Sequence, residues 1–216
     1  MIDCSKRLKA IIQCIDQPII ADVGCDHAYV AVEAILESRV EKAYACDISQ
    51  GPLQRAQKTI EQYDVMQQVH CILMNGIESL PEDVKEIIIA GMGASTIVEI
   101  LKQGKVKENQ TLLLSPHKDA PFLRKYLMEQ DYEILEEGLV QEDLHFYPIL
   151  KVKRGKQTLT LAEIYYGYQV HKNADYSHFI HYEWKKWNQL IRRIPENQQQ
   201  EAKERLQSLE EILKKL

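Results

Sequence analysis

Nothing in the 216 residues reads as a membrane span, because no apolar run approaches the ~20 residues that a bilayer-crossing helix needs. The opening stretch MIDCSKRLKA mixes acid and base and lacks an apolar core, so a secretion signal is not expected. Cysteine is scarce: Cys4, Cys14, Cys25, Cys46 and Cys71 form no C-x-x-C pair, and no histidine stands at zinc-finger spacing from them. They read as reduced thiols, with Cys25 and Cys46 packed beside strand ends, and no metal is expected. The basic excess of a general nucleic-acid binder is missing too, since the formal charge is −5. What remains is an ordinary cytoplasmic chain, long enough for one or two domains around a real core.

The charge is unevenly spread. Residues 1–154 carry 17 Lys/Arg against 24 Asp/Glu, whereas residues 155–216 carry 10 against 8. A polyanion would therefore be met locally rather than by the whole surface.

Leu8, Ile11, Ile12 and Ile15 stand at helical spacing and predict a helix over 4–16, with Ser5 as a cap. Short apolar runs then predict strands over 19–23, 42–46, 68–74, 86–90 and 111–115. Between and after them, helices are expected over 29–38, from Gly51-Pro52 onward, over 95–103 and over 120–130. Two further strands, 132–140 and 146–152, come consecutively. Alternation predicts an α/β fold with a parallel, doubly wound sheet, and the last two strands predict a hairpin added at one edge. This is the element order of the Rossmann-like class I methyltransferases.

After Arg154 glycine nearly disappears and aromatic residues cluster between Tyr165 and Trp187. Leu190, Ile191 and Ile194 predict one apolar helical face, and Leu206, Leu209, Ile212, Leu213 and Leu216 another, with Pro195 between them as a breaker. The expected organisation is a catalytic domain over 1–154 and an all-helical, coiled-coil-like extension over 155–216, built from two helices as an antiparallel hairpin.

Ligands in such sheets bind beyond the carboxyl ends of the strands. There the sequence reads Asp22-Val-Gly24-Cys-Asp26-His27-Ala-Tyr29. Gly24 allows close backbone approach, and the acidic residues suit a cofactor carrying an ammonium and a sulfonium, as S-adenosylmethionine does. A pyrophosphate would want G-x-G-x-x-G at this turn, which is absent. Asp47, at the end of the second strand and followed by Ile48, is placed either to accept both ribose hydroxyls or to cap a helix. Asn75-Gly76 either meets the adenine ring or makes a plain turn. Gly91-Met92-Gly93 either lines the methyl-transfer cleft, leaving room for a flat ring, or forms a tight strand-to-helix turn.

Together with Glu142-Asp143 and Phe146-Tyr147, these stretches resemble the bacterial tRNA (adenine-22-N1)-methyltransferase family over essentially the whole chain. The run D-x-G-x-D-H-A-Y followed by A-G-M-G is the distinctive part. The resemblance implies S-adenosylmethionine as donor, N1 of an adenine in the tRNA D-arm as acceptor and tRNA as partner; the sequence leaves the oligomeric state open, with a monomer the expectation. The resemblance places Asp26 in the catalytic site, acting on the exocyclic amine or the product cation, or else only contacting the cofactor ammonium or the backbone. Tyr29 and His27 are expected to orient the base, His27 alternatively being a packed hydrogen-bonding residue. Ser115, His117 and Tyr147 are expected at the acceptor, and Lys153, Arg154, Lys185 and Lys186, together with Lys151, Lys156, Arg192 and Arg193, either meet the RNA backbone or are simply solvated. Trp184 and Trp187 either stack on RNA or anchor the extension. Two motifs depart from the family: Ser115-Pro116-His117 replaces Gln-Pro-Asn, and Met74-Asn75-Gly76 replaces Gly-Asp-Gly. They keep open a paralogue acting on another RNA or a small molecule. A non-catalytic cofactor-binding module that recruits a partner through its helices is the reading from another class.

Overall fold

Apolar runs that stop at glycine, proline or asparagine become strands, and amphipathic stretches between them become helices. The computed structural model describes residues 2–216. Helix α1 (Lys6–Gln13) starts at Ser5, whose hydroxyl accepts from the Leu8 N–H at 3.4 Å. There follow β1 (Ile19–Val23), α2 (Tyr29–Leu36), β2 (Lys42–Asp47), α3 (Gln50–Gln62), β3 (Val69–Leu73), β4 (Glu86–Met92), α4 (Ala94–Gln103), β5 (Thr111–Pro116) and α5 (Ala120–Glu129). The expected hairpin is β6 (Tyr132–Glu142) and β7 (His145–Arg154).

The strands form one sheet in the order β3-β2-β1-β4-β5-β7-β6. The first five pair in parallel, and β7 runs antiparallel to β5. Both faces are covered, so alternate residues serve opposite cores. Ile88 and Leu113 pack with α1, α2 and α3, while Ile87, Ile89, Leu112 and Leu114 pack with α4 and α5. Strand order reverses between β1 and β4, which opens a crevice beyond their carboxyl ends. Cys25 and Cys46 are buried there, and burial raises both thiols, Cys46 to about 12.

The C-terminal part has three α-helices rather than two: α6 (Leu161–Tyr166), α7 (Ala174–Leu190) and α8 (Gln200–Leu213). The extra one is set by Thr160 and Glu163, which make a reciprocal capping box. The predicted face at Leu190, Ile191 and Ile194 is not continuous. Residues before proline avoid the α region, so Ile194 is extended ahead of Pro195 and the chain turns through short 3-10 segments. Helices α7 and α8 are antiparallel, as expected. Lys172 Nζ reaches the Lys215 carbonyl at one end (2.9 Å), and Gln199 Nε2 reaches the Ile194 carbonyl at the other (2.9 Å).

This extension has no independent core. Tyr166, Tyr176, Ile180 and Leu209 pack with Leu139 and Phe146 of the hairpin, and Trp184 and Trp187 join that cluster as anchors. A buried ion pair pins the junction. Arg124 on α5 grips Glu137 on β6 through two nitrogens (2.9 and 2.8 Å), their side chains 4% and 1% exposed. Arg124 also donates to the Ile164 carbonyl, and Glu137 accepts the Tyr168 N–H.

Candidate active site

The turn after β1 is shaped by its backbone. Gly24 has φ +76°, a conformation that strains other residues, and an added Cβ would press on the Met92 methyl at 2.7 Å. Its N–H and that of Cys25 both donate to the Cys46 carbonyl, which ties the turn to β2. Across the crevice, the pairing of β4 with β5 shifts register between Ala90 and Met92, with Gly91 at φ +81°. Such a bulge bends a strand end and re-aims its side chains. Between the two turns lies a cavity of about 250 Å³, lined by Asp22, Gly24, Asp26, His27, Tyr29, Gly91, Met92 and His117, with Arg7 from α1.

Its charges are unequal in environment. Asp22 is 5% exposed, and no group among the described residues donates a hydrogen bond to its carboxylate. Burial, reinforced by the nearby Asp47 charge, pushes its pKa up to about 7. Arg7 lies over the Tyr147 ring at 5.3 Å, with Nη1 buried and unpartnered close to Gly91. The cavity thus holds a buried carboxyl that receives no hydrogen bond and a guanidinium with one unpartnered nitrogen, which fits a zwitterionic amino-acid group. Asp26 is different. Its side chain is 60% exposed, and Arg55 on α3 holds Oδ1 through two nitrogens at 2.9 and 2.5 Å. His27 stacks on Tyr29 with ring centroids 5.1 Å apart. His117 meets Tyr147 edge-on at 5.5 Å, and burial plus the Arg7 and His145 charges hold its pKa below the ordinary histidine value.

Asp47, Ile48, Asn75 and Gly76 lie outside this cavity, at and just beyond the neighbouring ends of β2 and β3, where Ile48 and Asn75 make an exposed shelf with Asp47 half-buried and Gly76 buried beneath it. Asp47 Oδ1 accepts the Ser49 N–H at 2.9 Å, and Ser49 rather than Asp47 is the N-cap of α3. Ile48 is exposed beyond it. The Asn75 amide donates to Glu78 at 2.9 Å, and Gly76 has φ +55°. Gly93 is the N-cap of α4, with the Lys118 stem beside it.

A family model described as tRNA (adenine(22)-N(1))-methyltransferase matches residues 20–216. The chain belongs to this family. It is 31% identical over 155 residues to the tRNA (adenine(22)-N(1))-methyltransferase of Bacillus subtilis, a stretch covering 70% of this chain and 65% of that protein. The fold is similar to that of Mycoplasma capricolum TrmK in complex with S-adenosyl-homocysteine, with TM-score 0.82, 28% identity and 98% of each chain covered. It is equally similar to Streptococcus pneumoniae Sp1610 in complex with S-adenosyl-L-methionine, with TM-score 0.83, 28% identity and coverage of 97% of this chain and 99% of that one.

For a member of the tRNA (adenine(22)-N(1))-methyltransferase family, several expected substrate residues sit elsewhere. Ser115 is buried with its hydroxyl unpartnered, and Pro116 is buried as well, so of the departing loop only His117 is exposed. Because β7 is antiparallel, Lys153 pairs in register with Thr111, the first residue of β5, and so lies at the opposite end of the sheet from the crevice. It engages Glu133 at 3.5 Å, and Arg154 stacks on Tyr132 at 4.1 Å. Lys151 is buried against Asp16, Glu86 and the Cys14 carbonyl. Lys185 and Lys186, by contrast, line a surface groove with Tyr182 and Gln189 of α7 and with Arg193 of the 3-10 turn that follows it. Arg7 and Arg55 are the site residues that the sequence pattern does not reveal. Their partners are more than twenty residues away along the chain, and S-K-R-L is in itself an ordinary helix start.

Proposed function

We propose that this chain is an S-adenosylmethionine-dependent methyltransferase acting on N1 of adenine 22 in tRNA, in the cytoplasm. The observation that carries the reading is the pairing, in one cavity, of a buried unpartnered Asp22 with an unpartnered Arg7, next to a rim of stacking rings. When bound, the donor supplies a methyl group on a sulfonium, carried by an amino acid with one ammonium and one carboxylate. Asp22 is the partner for the ammonium and Arg7 for the carboxylate. Gly24 and Gly91 leave the backbone open to close approach. On the shelf, Asp47 keeps Oδ2 for ribose hydroxyls, and Ile48 and Asn75 flank the adenine side.

Neutral adenine presents its N1 lone pair directly, so no proton has to leave before attack. The residues of this chain then have to align the base and steady the positive charge that forms on it. His27, Tyr29 and Tyr147 offer ring faces to a base drawn out of its stack. His117 stays neutral at neutral pH, since its surroundings disfavour the imidazolium, and so offers a hydrogen bond without adding positive charge. Asp26 accepts from the exocyclic amine or faces the charged product, and Arg55 holds it in place. Replacing Asp26 with Asn is expected to lower turnover roughly 100-fold while leaving cofactor affinity nearly unchanged. Turnover and calorimetric affinity falling together would reduce Asp26 to a binding residue.

The basic groove along α7 and the turn after it is the proposed docking surface for the RNA backbone. Reversing Lys185 and Arg193 to Glu should weaken tRNA binding and flatten its log–log salt dependence by about 0.9 for each phosphate that is no longer neutralised. An unchanged slope would place the phosphates elsewhere. The activity itself is tested with labelled S-adenosylmethionine and unmodified tRNA transcripts carrying A or G at position 22. Label is expected on the A transcript alone; cofactor binding without label on either would favour the non-catalytic reading.

A further inference from the structure

A second cavity, of about 280 Å³, lies where the helical extension meets the catalytic sheet. Its catalytic wall is Pro116 and His117, and His117 also lines the cofactor cavity, so the two spaces share a partition. Its other wall is aromatic: Phe146 from the hairpin, Tyr165 and Tyr166 from α6, and Phe179 from α7. Tyr166 is 2% exposed, and its hydroxyl makes no well-aligned hydrogen bond, with only the Arg205 guanidinium close beside it. Burying a hydroxyl without a partner is costly, and a ligand edge that meets it would offset that cost.

The charges around this space are sorted. Glu183 is occupied by Lys186 at 2.7 Å and by the Trp187 indole at 3.2 Å, and Arg205 is occupied by Glu201 and by the Tyr165 and Trp187 rings. Asp119 stands at the N-cap position of α5 at the margin, its side chain making no cap hydrogen bond. Lys118 stands at the entrance beside Gly93 with no ion-pair partner among the described residues. A cavity walled by tilted aromatic rings, with one buried hydroxyl and the unpaired Lys118 in its lining, has the chemistry of a nucleotide subsite. Its size, about 280 Å³ and so just below the ~300–1,000 Å³ range of small-molecule sites, suits a single base.

We infer that this cavity receives a nucleobase flanking the methylated adenine, splayed from the stack on the far side of His117. The inference rests on the proposed tRNA activity. A base seated here cannot be the acceptor, because the partition separates it from Asp22 and Gly91. The helical extension would therefore build half of a base pocket and not only a backbone dock. The base stacks among Phe146, Tyr165 and Phe179, its edge meets the Tyr166 hydroxyl, and Lys118 meets its phosphate.

The test pairs an enzyme variant with altered RNA. Tyr166→Phe removes only the hydroxyl, and tRNA transcripts carry an abasic nucleotide immediately 5′ or 3′ of adenine 22. Anisotropy gives RNA affinity, calorimetry gives cofactor affinity, and initial rates give kcat/KM. We expect one abasic position to lower wild-type RNA affinity about tenfold or more, as loss of base–aromatic stacking does. Tyr166→Phe should lower RNA affinity and kcat/KM about three- to tenfold on intact tRNA, with cofactor affinity unchanged. On the sensitive abasic transcript it should have no further effect. Additive losses, or abasic transcripts bound and methylated as well as intact ones, would overturn the subsite while leaving the activity standing. If wild-type protein methylates no tRNA transcript, the activity and the subsite fall together. Ala120→Phe, which fills the cavity from α5, supplies an independent check: it should reproduce the abasic loss with cofactor affinity retained, and unimpaired RNA binding by a folded Ala120→Phe protein would also overturn the subsite.

Discussion

Replacing Glu137 with Ala is expected to destabilise the protein by about 3–5 kcal/mol, the range for removing one partner of a buried ion pair. The reason is what would be left behind. Arg124 is almost fully buried, and its guanidinium spends two nitrogens on Glu137 and a third on the Ile164 carbonyl. Without the carboxylate it becomes an uncompensated buried charge, and the Tyr168 N–H loses its acceptor as well. The damage should concentrate at the junction, so residues 155–172 should become protease-sensitive before the sheet unfolds. Denaturant midpoints for the variant and for the double replacement Arg124→Leu with Glu137→Leu test the mechanism. The double variant should recover part of the loss, because it removes the stranded charge. Equal losses in both would show that the charge pair is not what holds the junction.

Replacing Asp22 with Asn is expected to weaken S-adenosylmethionine binding roughly 10- to 100-fold at pH 8, the loss of a charge-assisted hydrogen bond. The sharper consequence is in pH. In the unfolded chain this carboxyl ionises near 3.8, whereas in the empty fold it ionises near 7. Between those values the folded protein holds a proton that the unfolded chain has released, so this group's contribution to stability falls as pH rises from about 4 through 7. A cationic ligand reverses the preference, because it needs the ionised carboxylate. Wild-type affinity should therefore decline as pH drops below 7, approaching tenfold per unit, while that of Asp22→Asn stays flat over the same interval. The empty variant should also be more stable than empty wild type at pH 8. Calorimetric titrations between pH 6 and 8 decide it; a wild-type affinity that ignores pH would remove Asp22 from the ammonium site.

Much of the architecture was legible because it depends on neighbours in the chain. Strands covered on both faces need unbroken apolar runs such as Ile87–Ile89 and Leu112–Leu114, and these stand out in any reading. Gly24 and Gly91 are marked by type, since positive φ at a strand end favours glycine. The breaker at Pro195 and the antiparallel α7–α8 hairpin follow from local chemistry too. Asp22, Asp26, His27 and Tyr29 were brought to one cavity as the motif implied, because they sit on a single short turn.

What the sequence determined by itself was the order of elements, the sheet that this order dictates, and the cluster of acidic and ring-bearing residues at one strand end. All of these arise from interactions within a few residues, where side-chain type constrains backbone shape. The tertiary structure alone decided which distant charges face one another. It laid Arg7 of α1 over Tyr147 and Arg55 of α3 against Asp26, buried Lys151 beside Glu86, and carried Lys153 and Arg154 to the far end of the sheet. A long charged side chain has no local signature that distinguishes a solvated face from a buried pair or a ligand site. Its role depends on strand direction and packing across the chain, which are settled only when the sheet closes and the helical extension docks on it.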